Sequence, residues 1–248
     1  MRIALFADVH SNREALTECL AHARERGATR LAFLGDLVGY GADPAFVVAC
    51  VMEHVANGAI AVLGNHDAAV AHGTGEDMHR AARHAIDWTR SRLSAAQLAF
   101  LAGLPLMVRD GATLYVHANA RAPAGWEYVL AAAEARESLL STDARYTFCG
   151  HVHEPALYHI NRSRHVSGFV PTAGVAVPLG AQRRWLAIAG SVGQPRDGVL
   201  AARYAIFDTA ASALTWFEVP YDFDRALRKT LEAGLPPNIV VRERGGVT

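Results

Sequence analysis

The chain has 248 residues, of which 51% are hydrophobic, and its 24 Lys and Arg residues balance its 24 Asp and Glu residues. This length and composition predict a globular protein with one domain over residues 1–248. The balanced charge argues against general binding of nucleic acid, and no apolar run approaches the ~18 residues of a membrane span. Three distant cysteines (Cys19, Cys50 and Cys149) predict buried thiols in a reducing cytoplasm.

The first part of the chain alternates short apolar segments with amphipathic ones. The apolar segments predict strands over residues 2–7, 31–34 and 59–63. Apolar residues at three- and four-residue spacing predict helices over residues 13–26 and 44–55, which begin after Asn12 and at Pro44. Because strands and helices alternate with short connections, we expect a parallel sheet here. Two further helices are predicted over residues 75–93 and 94–102.

The later segments contain more strands and fewer helices. A helix is predicted over residues 126–140, between strands at residues 113–117 and 146–149. Four further strands are predicted at residues 156–160, 185–189, 203–207 and 213–219, with one helix at 223–233. We expect these four strands to form a second sheet, mixed or antiparallel, that stacks on the first with helices outside. Residues 240–248 are predicted to be a loose tail.

Polar side chains of the types that bind metal ions follow five of the predicted strands. They are Asp8, His10, Asp36, Asn65, His117, His151 and His153. We expect them to meet, because ligands collect at the carboxyl ends of strands in open α/β sheets. In Asp8-Val9-His10 and His151-Val152-His153, an extended backbone would direct the residues two apart to one side, so that each pair serves one small site.

The mixture of carboxylates and imidazoles suits manganese, iron, zinc, nickel or cobalt better than calcium, which prefers oxygen ligands alone. Seven ligands are too many for one catalytic ion with an open position. We therefore predict two divalent ions that share Asp36, because this aspartate stands alone on a glycine-flanked turn and has two oxygens to share.

Each of these residues, taken singly, also has a structural explanation. Asp8 and Asp67 could cap the helices that follow them, Asp36 could be an ordinary turn residue, and His117 could be a hydrogen-bonded histidine. The ordered set favours metal binding, because every member follows an apolar strand. The other histidines are predicted to be surface or packing residues, although a substrate role stays open for the two nearest the third cluster, His72 and His79.

The five blocks resemble those of the calcineurin-like metallophosphoesterase superfamily: Asp-x-His, Gly-Asp-x-x-Gly, Gly-Asn-His-Asp, a single His and Gly-His-x-His, between Asp8 and His153. Residues 38–44 and 190–197 further resemble a compact bacterial subgroup of phosphodiesterases and phosphatases. Two stretches depart from the family's pattern: Ala118-Asn119 follows the single His, where glycine is common, and Ile188-Ala189 replaces an asparagine-proline pair. Neither departure removes a ligand.

The resemblance implies an α/β fold, a four-layer α/β-β/α sandwich of two stacked mixed sheets flanked by helices. It also implies a dinuclear centre with a shared aspartate. One ion would bind Asp8, His10, His153 and Asp36, and the other would bind Asp36, Asn65, His117 and His151.

The function that the resemblance implies is a phosphoesterase that needs two divalent ions, manganese being favoured, and that acts on phosphodiesters in preference to monoesters. A hydroxide that bridges the ions would attack phosphorus in line with the leaving group. We expect His66 to donate a proton to the leaving oxygen or to stabilise its charge, and Asp67 to orient His66. Asn12, Tyr40 and Arg121 are weaker candidates for contacting the substrate.

The expected substrate is a small phosphoester, with nucleotide-derived esters among the candidates, and no membrane partner is expected. Analogy with small compact relatives predicts a homodimer. Three alternative functions stay open: a nuclease on the same fold, a non-catalytic metal-binding scaffold, and a redox di-iron protein. The retained histidines argue against the scaffold, and the absence of Glu-x-x-His at the site argues against the di-iron protein.

Overall fold

The structure is a computed structural model that describes residues 1–73, 80–196 and 198–237. Within these ranges the strands are β1 (Arg2–Phe6), β2 (Arg30–Phe33), β3 (Ile60–Ala61), β4 (Met107–Asp110), β5 (Thr113–Val116), β6 (Tyr146–Cys149), β7 (Ala156–Ile160), β8 (Val166–Phe169), β9 (Val177–Pro178), β10 (Arg184–Ile188), β11 (Ala202–Asp208) and β12 (Ala213–Val219). The helices are α1 (Arg13–Glu25), α2 (Pro44–Ala56), α3 (Asn65–His72), α4 (Arg80–Arg92), α5 (Ala95–Ala102), α6 (Ala132–Leu140) and α7 (Phe223–Glu232). None of these helices has the length and apolar character that crossing a bilayer requires.

The strands form two six-stranded mixed sheets. The first sheet has the order β3-β2-β1-β11-β12-β9, and the second has the order β4-β5-β6-β10-β7-β8. As expected, β1, β2 and β3 are parallel. The expectation that early and late strands form separate sheets is wrong, because β11 pairs with β1 and β10 pairs with β6. An apolar pattern indicates that a strand is buried. Which strands lie beside it in the sheet depends on contacts between distant parts of the chain.

Three layers of buried side chains hold the sheets and helices together. Aromatic rings join the two sheets in the middle layer, where the centroids of Phe148 and Phe207 lie 5.1 Å apart. Each such side chain contributes roughly 1.5–3 kcal/mol when it is fully buried. Apolar residues of α1, α2 and α3 pack on the outer face of the first sheet, and those of α6 pack on the second. The result is the expected four-layer α/β-β/α sandwich.

Local sequence signals fix the start of helix α1 directly after the first strand and the segment that follows it. The side chain of Asn12 accepts a hydrogen bond from the Ala15 backbone N–H at 3.0 Å, which satisfies a donor of the first turn. The apolar stripe that begins with Leu16 and Cys19 is fully buried against the first sheet. The helix therefore starts directly after the segment that carries Asp8 and His10.

The structure differs from several predicted boundaries. The helix expected over residues 126–140 begins only at Ala132, because Trp126 has a left-handed backbone (φ 52°) that ends a short 3₁₀ turn. Three short strands, β4, β8 and β9, were not predicted. Cys50 is half-buried, in contrast to the buried Cys19 and Cys149. Part of the helix predicted over residues 75–93, and the predicted tail at residues 240–248, lie outside the described residues.

Candidate metal centre

The ends of five strands from both sheets bring the predicted ligands to one place. Strands β1, β2 and β3 belong to the first sheet, and β5 and β6 belong to the second. Three groups of side chains have candidate ligand atoms that all lie within 4.8 Å of one another. These groups are Asp8–His10–His153, His10–Asp36–His66 and Asp36–His117–His151. Every member of the three groups is buried.

The first cluster consists of Asp8, His10 and His153. The Nε2 atom of His153 lies 3.3 Å from Oδ1 of Asp8 and 3.2 Å from Nε2 of His10. The Nε2 atom of His10 lies 4.0 Å from the same Asp8 oxygen. Three potential ligand atoms thus converge in a space that solvent does not reach.

The second cluster consists of Asn65, His117 and His151. The Nε2 atom of His117 lies 3.1 Å from Nδ1 of His151 and 3.2 Å from Oδ1 of Asn65. Asn65 is only partly buried, so this cluster lies nearer to the protein surface than the first.

Asp36 lies between the two clusters and reaches both. Its Oδ2 atom is 3.8 Å from Nε2 of His10 and 3.4 Å from Nε2 of His117. Its Oδ1 atom accepts a hydrogen bond from the His66 backbone N–H at 2.9 Å, which holds the carboxylate in this orientation. A carboxylate in this position could be shared by ions in the two clusters.

Backbone carbonyl oxygens orient the imidazole rings of the four histidines that are candidate ligands. The ring nitrogen that faces away from the cluster contacts a carbonyl oxygen at 2.6–3.1 Å, in the pairs His10–Val38, His117–Leu34, His151–Trp126 and His153–Gln194. Because a carbonyl oxygen can only accept, that nitrogen carries a hydrogen, and in a neutral ring the inward nitrogen then has a lone pair. The inward nitrogens of His10 and His153, and those of His117 and His151, lie 3.1–3.2 Å apart, so each pair needs either a proton or a metal ion between its lone pairs. The geometry therefore fits metal ligands with fixed tautomers.

The two His-containing pairs do not have the extended backbone that we expected. Asp8 (φ 54°), His10 (φ 48°), His151 (φ 68°) and His153 (φ 70°) are all left-handed, as is Asp36 (φ 53°). The resulting turns direct His151 and His153 to different clusters, so the expectation that each pair serves one site is wrong for this pair. Left-handed non-glycine residues are costly and concentrate at functional sites, because surrounding structure must enforce them.

Two glycines of the motifs lie so close to Asp36 and Asp8 that no residue with a Cβ atom fits in their place. A Cβ atom on Gly64 would lie 2.1 Å from the Asp36 backbone N, and one on Gly150 would lie 2.6 Å from Oδ2 of Asp8. These contacts are shorter than real Cβ atoms tolerate, so any larger residue would displace the aspartates.

The electrostatics of the buried groups favour ionised carboxylates and mostly neutral imidazoles. Burial opposes ionisation of Asp8 and Asp36, but neighbouring histidines hold the pKa of each below its usual value. Burial lowers the pKa of His10, and it lowers the pKa of His151 to about 4. Burial also opposes protonation of His117, yet the adjacent Asp36 carboxylate raises its pKa to about 9. A metal ion bound there would compete with a proton for the same nitrogen.

His66 lies beside the first cluster, but Asp67 does not orient it as we expected. The His66 ring centroid is 5.0 Å from that of His10, and its buried Nδ1 has no hydrogen-bond partner among the described residues. The Asp67 carboxylate instead accepts hydrogen bonds from the backbone N–H groups of Val38 and Gly64, both at 3.1 Å. Burial, aided by the Asp36 charge, raises the pKa of Asp67 to about 7. Asp67 thus ties the turn after β2 to the start of α3.

The three predicted substrate residues have different surroundings. Tyr40 is half-buried beside the centre, with its ring centroid 4.8 Å from that of His10 and 4.7 Å from that of His66. Asn12 is buried and structural, because it caps α1 and donates to the Gly193 carbonyl oxygen at 3.1 Å.

Arg121 is exposed and is paired with acidic neighbours. Its guanidinium donates to both carboxylate oxygens of Glu127 at 2.6 Å and lies 3.4 Å from Glu137. Of the two histidines with an open substrate role, His72 is exposed at the end of α3, and His79 lies outside the described residues.

The loop before α6 contains residues at the centre that the sequence did not reveal. The Trp126 carbonyl oxygen accepts from Nε2 of His151 at 2.9 Å, and the Tyr128 ring stacks on His151 with centroids 4.0 Å apart. A helix was predicted over residues 126–140, so this loop was not predicted. The only available signal was two aromatic residues between Gly125 and the alanine-rich segment, where a surface helix would not need them.

Comparisons with known proteins agree with this geometry. A family model described as the calcineurin-like phosphoesterase superfamily domain matches residues 1–212. An uncharacterized protein of Methanocaldococcus jannaschii is 32% identical over 242 residues, which cover 94% of this chain and 93% of that protein.

Solved structures give the same result. A metallophosphoesterase from Sphaerobacter thermophilus is 34% identical and superposes with a TM-score of 0.85 over 96% of each chain. A hypothetical protein from Pyrococcus horikoshii, with 17% identity and a TM-score of 0.74 over 96% of this chain and 95% of its own, shares the fold. The resemblance and the fold predicted from the sequence are thereby confirmed. The chain belongs to the calcineurin-like phosphoesterase superfamily, a family of hydrolases.

Proposed function

We propose that the protein hydrolyses phosphodiesters, and phosphomonoesters more slowly, with two divalent metal ions at the candidate centre. The observation that carries the proposal is the position of Asp36, whose Oδ2 atom lies within 4 Å of histidine nitrogens from both clusters. A single carboxylate placed in this way can be shared by two cations, and no packing requirement explains a buried carboxylate among four imidazoles.

The donors divide into two complementary sets. Asp8, His10 and His153 would hold one ion together with Asp36, and Asn65, His117 and His151 would hold the other. Two carboxylates, four imidazoles and one amide oxygen suit borderline divalent ions, and manganese is our first choice among manganese, iron, nickel, zinc and cobalt. When bound, such a pair of ions supplies Lewis acidity to the phosphoryl group and activates the attacking water.

The chain's own side chains then have defined tasks. Asp8 and Asp36 keep their negative charge in a buried site, and the carbonyl-bound rings already direct one nitrogen inward. His117 would release its inward proton when the ion binds. His66 would contact the leaving oxygen and donate a proton or a hydrogen bond to it, which is worth on the order of 10²–10⁴ in rate. Tyr40 packs against His66 and His10 and would border the substrate on that side.

The proposed substrate is a small phosphoester, with nucleotide-derived diesters as the first compounds to try. Residues 38–44 and 190–197 resemble a compact bacterial subgroup of phosphodiesterases and phosphatases, so diesters are tried first and monoesters are tested beside them. A nuclease would need many phosphate contacts, and the balanced charge of the chain does not favour them.

Metal content and turnover test the shared carboxylate. The substitution Asp36→Asn should lower bound metal from two ions per chain to one or none and reduce hydrolysis of bis(nitrophenyl) phosphate at least about 100-fold. Loss of a mere hydrogen-bond partner of a metal ligand already costs about 10–100-fold, and a shared ligand should cost more. Asp224→Asn, at the start of α7, is the matched control and should change neither quantity. Full turnover in protein stripped of metal would overturn the proposal.

The leaving group tests His66. The substitution His66→Ala should slow esters with a poor alkoxide leaving group by about 10²–10⁴, because the departing oxygen then gains no proton or hydrogen bond. Nitrophenyl esters, whose leaving group is already a weak base, should be slowed much less. Equal losses for both kinds of ester would show that His66 acts elsewhere, and no loss for either would remove it from the reaction.

A further inference from the structure

A second charged site lies at the opposite end of the second sheet from the candidate metal centre. Five arginines line a cleft of about 370 Å³, and we call it the arginine cleft: Arg145, Arg162, Arg164, Arg183 and Arg184. Arg162 and Arg164 lie in the turn between β7 and β8, and Arg183 and Arg184 lie where β10 begins. Arg145 directly precedes β6. Strands of four and five residues, β6 and β10, separate the cleft from the metal centre by roughly 13–17 Å.

The charges of the arginine cleft are not neutralised by the protein. Asp143 is the one acidic residue that lines the cleft, and it pairs with Arg109 at 2.8 Å. Across the described ranges, none of the five arginines forms an ion pair with a carboxylate. A chain with zero net charge has therefore gathered five positive charges in one concave place. Such charges repel one another, and a multiply charged anion would relieve that repulsion.

Neutral partners already hold three of these side chains. Arg184 donates to the Thr142 carbonyl oxygen, and Arg162 donates to Oε1 of Gln182 at 2.6 Å. Arg183 contacts Nε2 of His159 at 3.0 Å. These contacts restrict the side chains without reducing their charge, so an anion would meet partly ordered guanidinium groups and less conformational entropy would be lost on binding.

We propose that the arginine cleft binds a small polyanion with at least two neighbouring phosphoryl groups, at a site separate from the candidate metal centre. Planar guanidinium groups bind phosphoryl oxygens in bidentate pairs, and five of them exceed what a single phosphate can engage. The volume is near the lower end for small-molecule pockets. Nucleic acid would instead require a basic surface that extends along several phosphates, whereas the neighbouring Arg109 is already paired with Asp143.

Calorimetric titration with sodium tripolyphosphate tests this site in the full-length, metal-loaded protein. The cleft variant is Arg145→Gln with Arg164→Gln, because both side chains are exposed and support no other part of the described fold. The control is Arg136→Gln with Arg228→Gln, which removes the same charge from exposed positions on α6 and α7. Any binding at the metal centre is common to all three proteins. We expect the cleft variant to bind at least about tenfold more weakly than wild type, and the control to bind like wild type.

Three outcomes would overturn the proposal. The first is equal affinity of the wild type, the cleft variant and the control for tripolyphosphate. The second is equal affinity of the wild type for orthophosphate and tripolyphosphate, which would remove the requirement for neighbouring phosphoryl groups. The third is tighter binding of a single-stranded RNA than of tripolyphosphate with the same loss in the cleft variant, which would make nucleic acid the ligand.

Chemical protection gives an independent measurement of the location. Phenylglyoxal modifies accessible arginines, and mass spectrometry of the digested protein identifies the modified positions. Saturating tripolyphosphate should protect Arg162 and Arg183 and leave Arg136 and Arg228 reactive. Unchanged reactivity of Arg162 and Arg183 would place the bound anion elsewhere and overturn the proposal.

Discussion

The two halves of the candidate metal centre are built from similar ligands but are enclosed differently. The loop after β10 covers the first cluster, because Gly193 N–H and the Ser191 hydroxyl both donate to the Asp8 carbonyl oxygen at 2.9 Å. The second cluster is covered by the Trp126–Tyr128 side of a surface loop, where the Tyr128 side chain is exposed. Both halves are buried, but the first is enclosed by the protein core, whereas the second lies directly beneath a surface loop.

This difference has a consequence for how the ions would be held. Ligands that are packed among backbone groups are preorganised, whereas ligands supported by an exposed loop can move with it. We therefore expect the first cluster to hold its ion more tightly and to matter more for the stability of the fold. The second cluster lies nearer to the protein surface, so substrate and solvent would enter from that side.

The largest effect should come from the loop that covers the first cluster. A Cβ atom on Gly193 would lie 1.8 Å from the Val9 carbonyl oxygen, and backbone atoms cannot move aside as a flexible side chain can. We expect Gly193→Ala to destabilise the protein by about 3 kcal/mol, or roughly 6–12 °C in Tm, and to release the first ion.

The matched control is Gly180→Ala, because a Cβ atom there has no neighbour within 4 Å. It should melt within about a degree of wild type, as exposed substitutions usually do. Equal melting temperatures for the two variants would refute the view that packed backbone encloses the first cluster.

The same substitution in each half should have unequal effects. His153→Gln removes a ring whose Nδ1 donates to the buried Gln194 carbonyl oxygen at 2.6 Å, and the orphaned groups should cost about 1–3 kcal/mol. His151→Gln should cost less stability, because the group that covers His151 is a surface loop with an exposed Tyr128 side chain. Elemental analysis should find one ion fewer in both variants, and thermal melts should rank His153→Gln as the less stable. The reverse ranking would contradict the comparison.

The smallest effect should come from the exposed loop. Tyr128→Ala removes a ring that stacks on His151 with an interplanar angle of 14°, a contact worth about 0.5–1.5 kcal/mol. We expect the second ion to bind a few-fold to about tenfold more weakly in a chelator competition, while the first ion is unaffected. Leu130→Ala is the control on the same loop, since Leu130 is 67% exposed. Equal weakening of both ions would show that the two halves are not independent.

The sequence predicted the elements near the ligands well because those signals are local. The apolar run before Asp8, the cap at Asn12 and the proline at the start of α2 each act within one or two turns of chain. Long-range pairing was less accessible. In the chain, β10 lies 39 residues from its paired positions in β6, and β11 lies at least 200 residues from those in β1, so the sequence pattern could not assign these strands to sheets. The loop at residues 126–131 was missed because apolar periodicity carries no signal for the left-handed backbone of Trp126.

What the sequence by itself determined is which candidate ligand residues would lie together, because each follows an apolar strand and strand ends gather at one edge of a sheet. Only the tertiary structure decided how those residues are used. It sends His151 and His153 to different clusters, sets each tautomer through a distant carbonyl oxygen, assigns Asp67 to the backbone instead of to His66, and gathers five arginines at the far end of the second sheet. The physical reason is that side-chain chemistry is local to a residue, whereas its partners are supplied by backbone from other parts of the fold.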